Sequence, residues 1–337
     1  MTKRLGRSTV AFGNPPCIRA NACVAGKKEG EGPLGNSFDI VNNDTSFGEK
    51  SWEKAESRMQ ELVLAKALSK AALSPPDVDM IFAGDLLNQC IGSAFALKDA
   101  EIPYFGLYGA CSTMAEGLIL ASAAVDGGFA NRAAAMTSSH FCSAERQYRM
   151  PLEYGSQRTP TAQWTVTGAG CAIVTAEDLG GAYVTHACVG QIVDAGVKDA
   201  ANMGAAMAPA AYRTITDILD QSGSAPEDFD LIVTGDLGFF GGELLREMFE
   251  LDGVELLNHT DCGEMIFDRE SQDVHAGGSG CGCSASVFCG EILNSMRAGR
   301  LARVLFAGTG ALMSPVSTNQ GSSIPCIAHA VIVSSTR

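Results

Sequence analysis

Apolar and polar residues along this chain alternate between two periods, and the changes of period mark its elements. From Ser51 to Ala72 the run SWEKAESRMQELVLAKALSKAA places Trp52, Met59, Leu62, Val63 and Leu68 at helical spacing behind a Ser51 cap, and the helix stops before SPPDVD. MIFAGDLLNQ then reads as an apolar strand ending at Gly84 and Asp85, followed by a short helix over GSAFALKDA. The stretch from Tyr104 to His140 is the centre of the pattern. It predicts a short strand, a turn of small residues at Gly109, Ala110, Cys111 and Ser112, a helix over Thr113 to Val125, and a second strand. Glu116 is the only charge on that helix, and a helix apolar on nearly every side is buried on every side.

The flanking regions are more polar. The first fifty residues suggest an opening strand and a long surface excursion around ACVAGKKEGEGPLG. Beyond His140 a polar insertion, about 141–165, carries Arg146, Arg149, Arg158 and Trp164 and reads as a dimer face or lid closed by a glycine-rich strand.

The second half then repeats the first. Pro209 to Gln221 is helical, and APEDFDLIVTGDLG mirrors PPDVDMIFAGDLL, with Asp79 and Asp230, Gly84 and Gly235, and Asp85 and Asp236 in step. GGSGCGCSASVFCGEILNSMRAGRLARVLFAGTGAL mirrors GACSTMAEGLILASAAVDGGFANRAAAMTSSH: a glycine-rich turn, an apolar helix, a linker with Gly128 and Arg132 against Gly299 and Arg303, and a strand. Matched segments in the same order indicate an internal duplication. The expected boundaries are 1–178 and 179–337, two βαβ-type halves with a parallel-rich core whose apolar helices pack together at the centre.

Composition narrows the class. With 337 residues, 46% of them apolar and 18% charged, the chain can bury an extensive core. A formal net charge of -14 argues against nucleic acid as a partner. The twelve cysteines are spread through a core-rich chain, which suits reduced thiols; Cys281 and Cys283 are too close to pair comfortably, and no zinc-site spacing is present. No run reaches the ~18 apolar residues of a membrane span, and the basic N-terminus lacks a signal-peptide core, so a soluble or peripherally attached protein is expected.

Cys111 is the leading chemical candidate. A thiol at the first turn of a helix faces free backbone N–H groups and the positive end of the helix dipole, which favour thiolate. The same residues also suit a tight corner around a buried, inert thiol. His140, at a strand end, and His275, before the glycine-rich turn, are candidate proton carriers or structural groups; His186, His259 and His329 read as structural. Asp85 and Asp236, at equivalent strand ends, read as turn-fixing carboxylates.

The motifs GPLG, AGDLLNQ, GACST, VDGGFA, TSSH, AERQ, LEYG, VTGAG, MGAAMAPAA, TGDL, DCG, AGGSGC and IAHAV, together with the duplication, resemble the thiolase-like superfamily that includes the ketoacyl synthases. Within it the chain is similar to a stage V sporulation family of spore-forming bacteria. The resemblance implies an α/β fold with a duplicated five-layered α/β/α/β/α core and a homodimer. It further implies binding of dipicolinic acid (pyridine-2,6-dicarboxylic acid) for uptake into the developing spore. The expected location is the forespore or spore, peripheral to the inner spore membrane, with other stage V uptake-complex proteins as partners.

The synthases combine the cysteine with a histidine and an asparagine; those positions fall here on Gly235, beside Asp236, and near Ser279, so the catalytic set is incomplete. The expected ligand site is therefore Cys111, Ser112, Ser138, Ser139, His140, Asp236, Ser279 and Thr309, small residues and donors around a helix N-terminus, with no cofactor or metal. Because the protein is itself negative, the acid is expected as its calcium chelate. The alternative is an active acyltransferase or condensing enzyme using Cys111 with His140 or His275.

Overall fold

The computed structural model describes residues 3–148 and 158–337. Arg149 and the LEYG motif lie outside the described residues.

Ten strands form the path of the main sheet: β1 (Cys17–Gly26), β2 (Met80–Gly84), β3 (Tyr104–Leu107), β4 (Arg132–Ser139), β5 (Gly168–Thr175), β6 (Tyr183–Cys188), β7 (Leu231–Thr234), β8 (His259–Asp261), β9 (Arg303–Ala311) and β10 (Cys326–Ser334). Their order is β8-β7-β9-β10-β6-β1-β5-β4-β2-β3, five strands from each half. The inner join between β6 and β1 rests on one residue pair, Tyr183 with Cys17. On either side of it the pairing is the same: β2 runs parallel to β3 and β4, β7 runs parallel to β8 and β9, and the strands nearer the join are antiparallel. Asp79 accepts the backbone N–H groups of Asn131 (2.6 Å) and Arg132 (3.0 Å), and Asp230 accepts those of Ala302 (2.6 Å) and Arg303 (2.9 Å), so matched aspartates tie matched strands.

The helices complete five layers. α1 (Trp52–Ala71) and α2 (Ile91–Leu97) cover the outer face of the first half, and α5 (Met203–Ser222) and α6 (Gly238–Leu251) cover that of the second. Between the halves lie α3 (Thr113–Asp126) and a second central helix, α7 (Cys281–Val287), which continues through a π turn (Phe288–Ile292) into α8 (Leu293–Arg297). Period-two alternation explains the layering. On β4, Ala133 and Ala135 face the central helices while Ala134 and Met136 face α1; on β9, Val304 and Phe306 face inward while Leu305 and Ala307 face α5. Strands buried on both faces carry almost no charge, as two-sided burial requires.

Helix ends are close to the sequence pattern with one exception. The Ser51 hydroxyl caps α1 by accepting from Lys54 N–H, but α5 begins at Met203 and takes Pro209 inside it. Burial of Ala206, Met207 and Ala208 against the sheet outweighs the hydrogen bond that Pro209 cannot make. All twelve cysteines are free, and no helix among the described residues is long and apolar enough to cross a membrane.

Candidate functional site

β3 delivers the chain to a single turn of 3-10 helix, Ala110–Ser112, which opens α3 and places Cys111 at its middle, 7% exposed. Ala110 adopts φ +51, a left-handed conformation unusual for a residue with a side chain. Cys111 forms part of the floor of a mainly apolar cleft of about 650 Å³ including its mouth. α4 (Phe141–Tyr148) supplies Ala144, Glu145 and Tyr148 to one wall. Ala200 and Met203 line it at the start of α5, Ala311 and Met313 at the end of β9, and Leu86 and Thr165 complete it with Ser279 and Gly280. The insertion therefore contributes a wall, held in place because Tyr148 Oη donates to Leu86 O (2.7 Å) and Trp164 stacks on Phe141 at 4.1 Å.

The thiol is not activated. Asp236, at the end of β7 and fully buried, accepts hydrogen bonds from Thr309 Oγ1 (2.7 Å), Ser279 Oγ (3.0 Å) and Gly280 N–H (3.0 Å), beside the Cys111 thiol. Burial, then the negative charge of Asp236 and the neighbouring Cys281, push the Cys111 thiol well above its ordinary range; the Gly280 N–H opposes them more weakly. Of the two readings of this turn, these effects favour the buried, inert thiol over the thiolate, desolvation and the neighbouring carboxylate both acting against ionisation. Gly280 is required where it stands: its φ is +97, and a Cβ there would come within 2.7 Å of Ser139 Oγ.

Of the eight expected ligand residues, Cys111 and Ser279 line the cleft, and Asp236 and Thr309 lie directly beneath them. The other hydroxyls are used by the fold. Ser112 Oγ donates to Gly109 O (2.7 Å), Ser138 Oγ to Glu56 (3.0 Å) and Ser139 Oγ to Val166 O (2.7 Å).

His140 is buried but turned elsewhere. Its Nε2 donates to Thr45 O (2.8 Å), its Nδ1 accepts from Cys142 N–H (3.1 Å), its ring lies 5.6 Å from that of Trp52, and burial lowers its pKa. Since a carbonyl can only accept and an amide N–H can only donate, both ring nitrogens are committed in the neutral form. His275 lies outside the cleft, between Thr159 O (2.8 Å) and Asp273 (3.1 Å), on a backbone of φ +53. His186, His259 and His329 contact Thr185, Thr234 with Arg246, and Gly190 N–H respectively, so no histidine lines the cleft.

Asp85 and Asp236 have parted company. Asp85 fixes its turn, accepting from Leu87 N–H (2.9 Å), Ser93 N–H (2.7 Å) and Ser93 Oγ (2.6 Å). In the second half that work falls to Asp261, which accepts from the N–H groups of Leu237 (2.9 Å), Gly238 (2.9 Å) and Gly263 (2.8 Å), leaving Asp236 to Thr309, Ser279 and Gly280 beneath the thiol. Sequence reasoning missed Asp261 and the walls Tyr148, Met203 and Met313. The DCG, AERQ, MGAAMAPAA and GTGALMSP runs are visible in the chain, but nothing in their spacing shows that they converge.

The layers and their order define a thiolase-like fold. The structure superimposes on 3-oxoacyl-[acyl-carrier-protein] synthase III from Aquifex aeolicus VF5 with a TM-score of 0.56, 12% identity, and coverage of 95% of this chain and 99% of that one. Against cerulenin-bound OleA of Xanthomonas campestris the TM-score is 0.62, with 14% identity, 96% of this chain and 98% of that one. At such identities the likeness speaks to fold alone. The chain belongs to the stage V sporulation protein AD family, whose sequence model matches residues 6–334. It is 43% identical over 331 residues to Stage V sporulation protein AD of Bacillus subtilis (strain 168), covering 98% of this chain and 97% of that relative.

Proposed function

We propose that this sporulation protein is a receptor for dipicolinic acid, taken as its calcium chelate into the Cys111 cleft for uptake into the developing spore, and that it runs no acyl transfer. The observation that carries this reading is the buried Asp236, held by Ser279, Gly280 and Thr309 beneath Cys111, in a cleft lined by no histidine. A condensing enzyme needs a nucleophile that can lose its proton and a donor for the enolate or oxyanion. Here burial and a neighbouring carboxylate disfavour ionisation of the thiol, and that carboxylate would oppose developing negative charge. What is left suits a small flat ligand: apolar walls for an aromatic ring, with Ser279, Thr165 and Gly280 among the lining residues.

The protein is further proposed to act as a homodimer, peripheral to the inner spore membrane of the forespore or spore, alongside other stage V uptake-complex proteins. Self-association is supported by the free edge of β3, where Phe105 is 56% and nearby Phe95 54% exposed. Calorimetry with dipicolinate, with and without calcium at low salt, tests the ligand. Incubation with labelled acyl-CoA followed by mass analysis of Cys111 tests the enzyme. Binding heat that is larger with calcium, and no adduct, is expected; an acylated Cys111 would overturn the reading.

A further inference from the structure

The duplication gives the molecule two equivalent outer edges. In the first half α2 lies between β2 and β3; in the second, α6 lies between β7 and β8. The two edges have diverged in chemistry. The first is aromatic and apolar, with Phe95 and Phe105 exposed. The second is an open groove between the C-terminal half of α6 and the segment entering β8, with Glu250, Glu255 and Glu264 on its walls against a single guanidinium, Arg246.

That guanidinium is already engaged, by Glu264 (3.4 Å) and by His259 Nδ1 (3.1 Å), and burial keeps His259 neutral. Glu250 and Glu255 make no ion pair among the described residues. Leu257, on the groove wall, is 89% exposed, and Leu251, which follows Glu250 at the helix end, is 87% exposed. Leucines this bare contribute nothing to the core. Their neighbours also exclude a second copy as the occupant, because apposing this face on itself would bring Glu250 and Glu255 against like charges.

We propose that this groove is a docking site for a basic amphipathic segment of a different protein, whose lysines or arginines meet Glu250 and Glu255 while an apolar side chain covers Leu257. Charge complementarity selects the partner and the leucines supply the contact area. The site is independent of the Cys111 cleft and does not rest on what that cleft binds.

The test uses the full chain and two short fluorescent peptides, one of alternating lysine and leucine pairs and one with glutamate in place of lysine, read by anisotropy at moderate salt. The lysine peptide is expected to bind and the glutamate peptide not. A Glu250→Lys/Glu255→Lys variant should lose about tenfold in affinity, Leu257→Ser several-fold, and a Glu31→Lys/Glu49→Lys variant, with the same charge change in the first half, less than about twofold. Equal loss in the two double variants would reduce the binding to bulk charge and overturn the proposal. So would absence of binding, or a change of oligomeric mass on Glu250→Lys/Glu255→Lys, which would make the face a self-contact.

Discussion

Replacing Asp236 by asparagine should free the Cys111 thiol while leaving the fold nearly intact. The asparagine oxygen can stay on Gly280 N–H and Ser279, and its amide can donate to the Thr309 hydroxyl, which can accept. Only the charge beside the thiol is lost. The stability cost is therefore about 1 kcal/mol, the difference between charged and neutral hydrogen bonds less the relief of a buried charge. At about 2 cal/mol/K of unfolding entropy per residue, the 337-residue chain turns that into a fall in Tm of one to two degrees, roughly. Alanine leaves the Gly280 amide without an acceptor on a backbone that cannot turn, costing roughly 2–3 kcal/mol and about 3–4 °C.

The thiol reports the mechanism more directly. A negative charge beside the sulfur, in a desolvated cleft, disfavours the thiolate. Alkylation of Cys111 by iodoacetamide at mildly alkaline pH, followed by mass spectrometry of the Cys111 peptide, should then be at least about tenfold faster in Asp236→Asn than in the parent. Equal or slower alkylation, in a variant that melts within a few degrees of the parent, would show that Asp236 does not hold the thiol proton. A receptor role for the site would then lose its main support.

Cys111→Ala should weaken dipicolinate binding only a few-fold by calorimetry, since it removes one floor contact; complete loss in a folded variant would point to a covalent role. His140→Gln should lower urea stability by about 1–2 kcal/mol through the Thr45 and Cys142 contacts yet leave ligand affinity within about twofold, and a large affinity loss would return His140 to the site. Burial pushes the carboxyl of Glu29 up to about 7 from an ordinary 4.5. Because the folded value is the higher one, its contribution is complete below pH 4.5 and is lost as pH rises through 7, a change of ~3 kcal/mol. Unfolding in urea at pH 5 and pH 8 should show that loss in the parent and a smaller one in Glu29→Gln; equal slopes would contradict the buried-acid assignment.

The layered fold was legible because its signals are local and repeated. The stretch Thr113 to Val125, with Glu116 its only charge, read as a central helix, and the matched VDMIFAGD and FDLIVTGD strands announced their common setting. The site was legible in part. Cys111 and Asp236 could each be placed at an element end, but their meeting brings the start of α3 to the end of β7, across the two halves, and no spacing encodes it. His140 misled for the same reason: its strand position was clear, whereas its orientation is decided by Thr45, which lies ninety-five residues away in sequence. The equivalence of Asp85 and Asp236 was visible, and their divergence was not, because Asp261 had silently taken over one of the two jobs.

The π turn in the second central helix has a consequence for how the halves relate. In a regular helix the Cys289 carbonyl would be occupied by its own helix; here it accepts from the buried side-chain amide of Asn21 on β1 (2.5 Å), which also reaches Asn294 (3.2 Å). α3 contains no such irregularity. The Asn21 bond ties the inner strand of the first half to the central helix of the second through an irregularity that α3 lacks, so the contact across the halves is not symmetric.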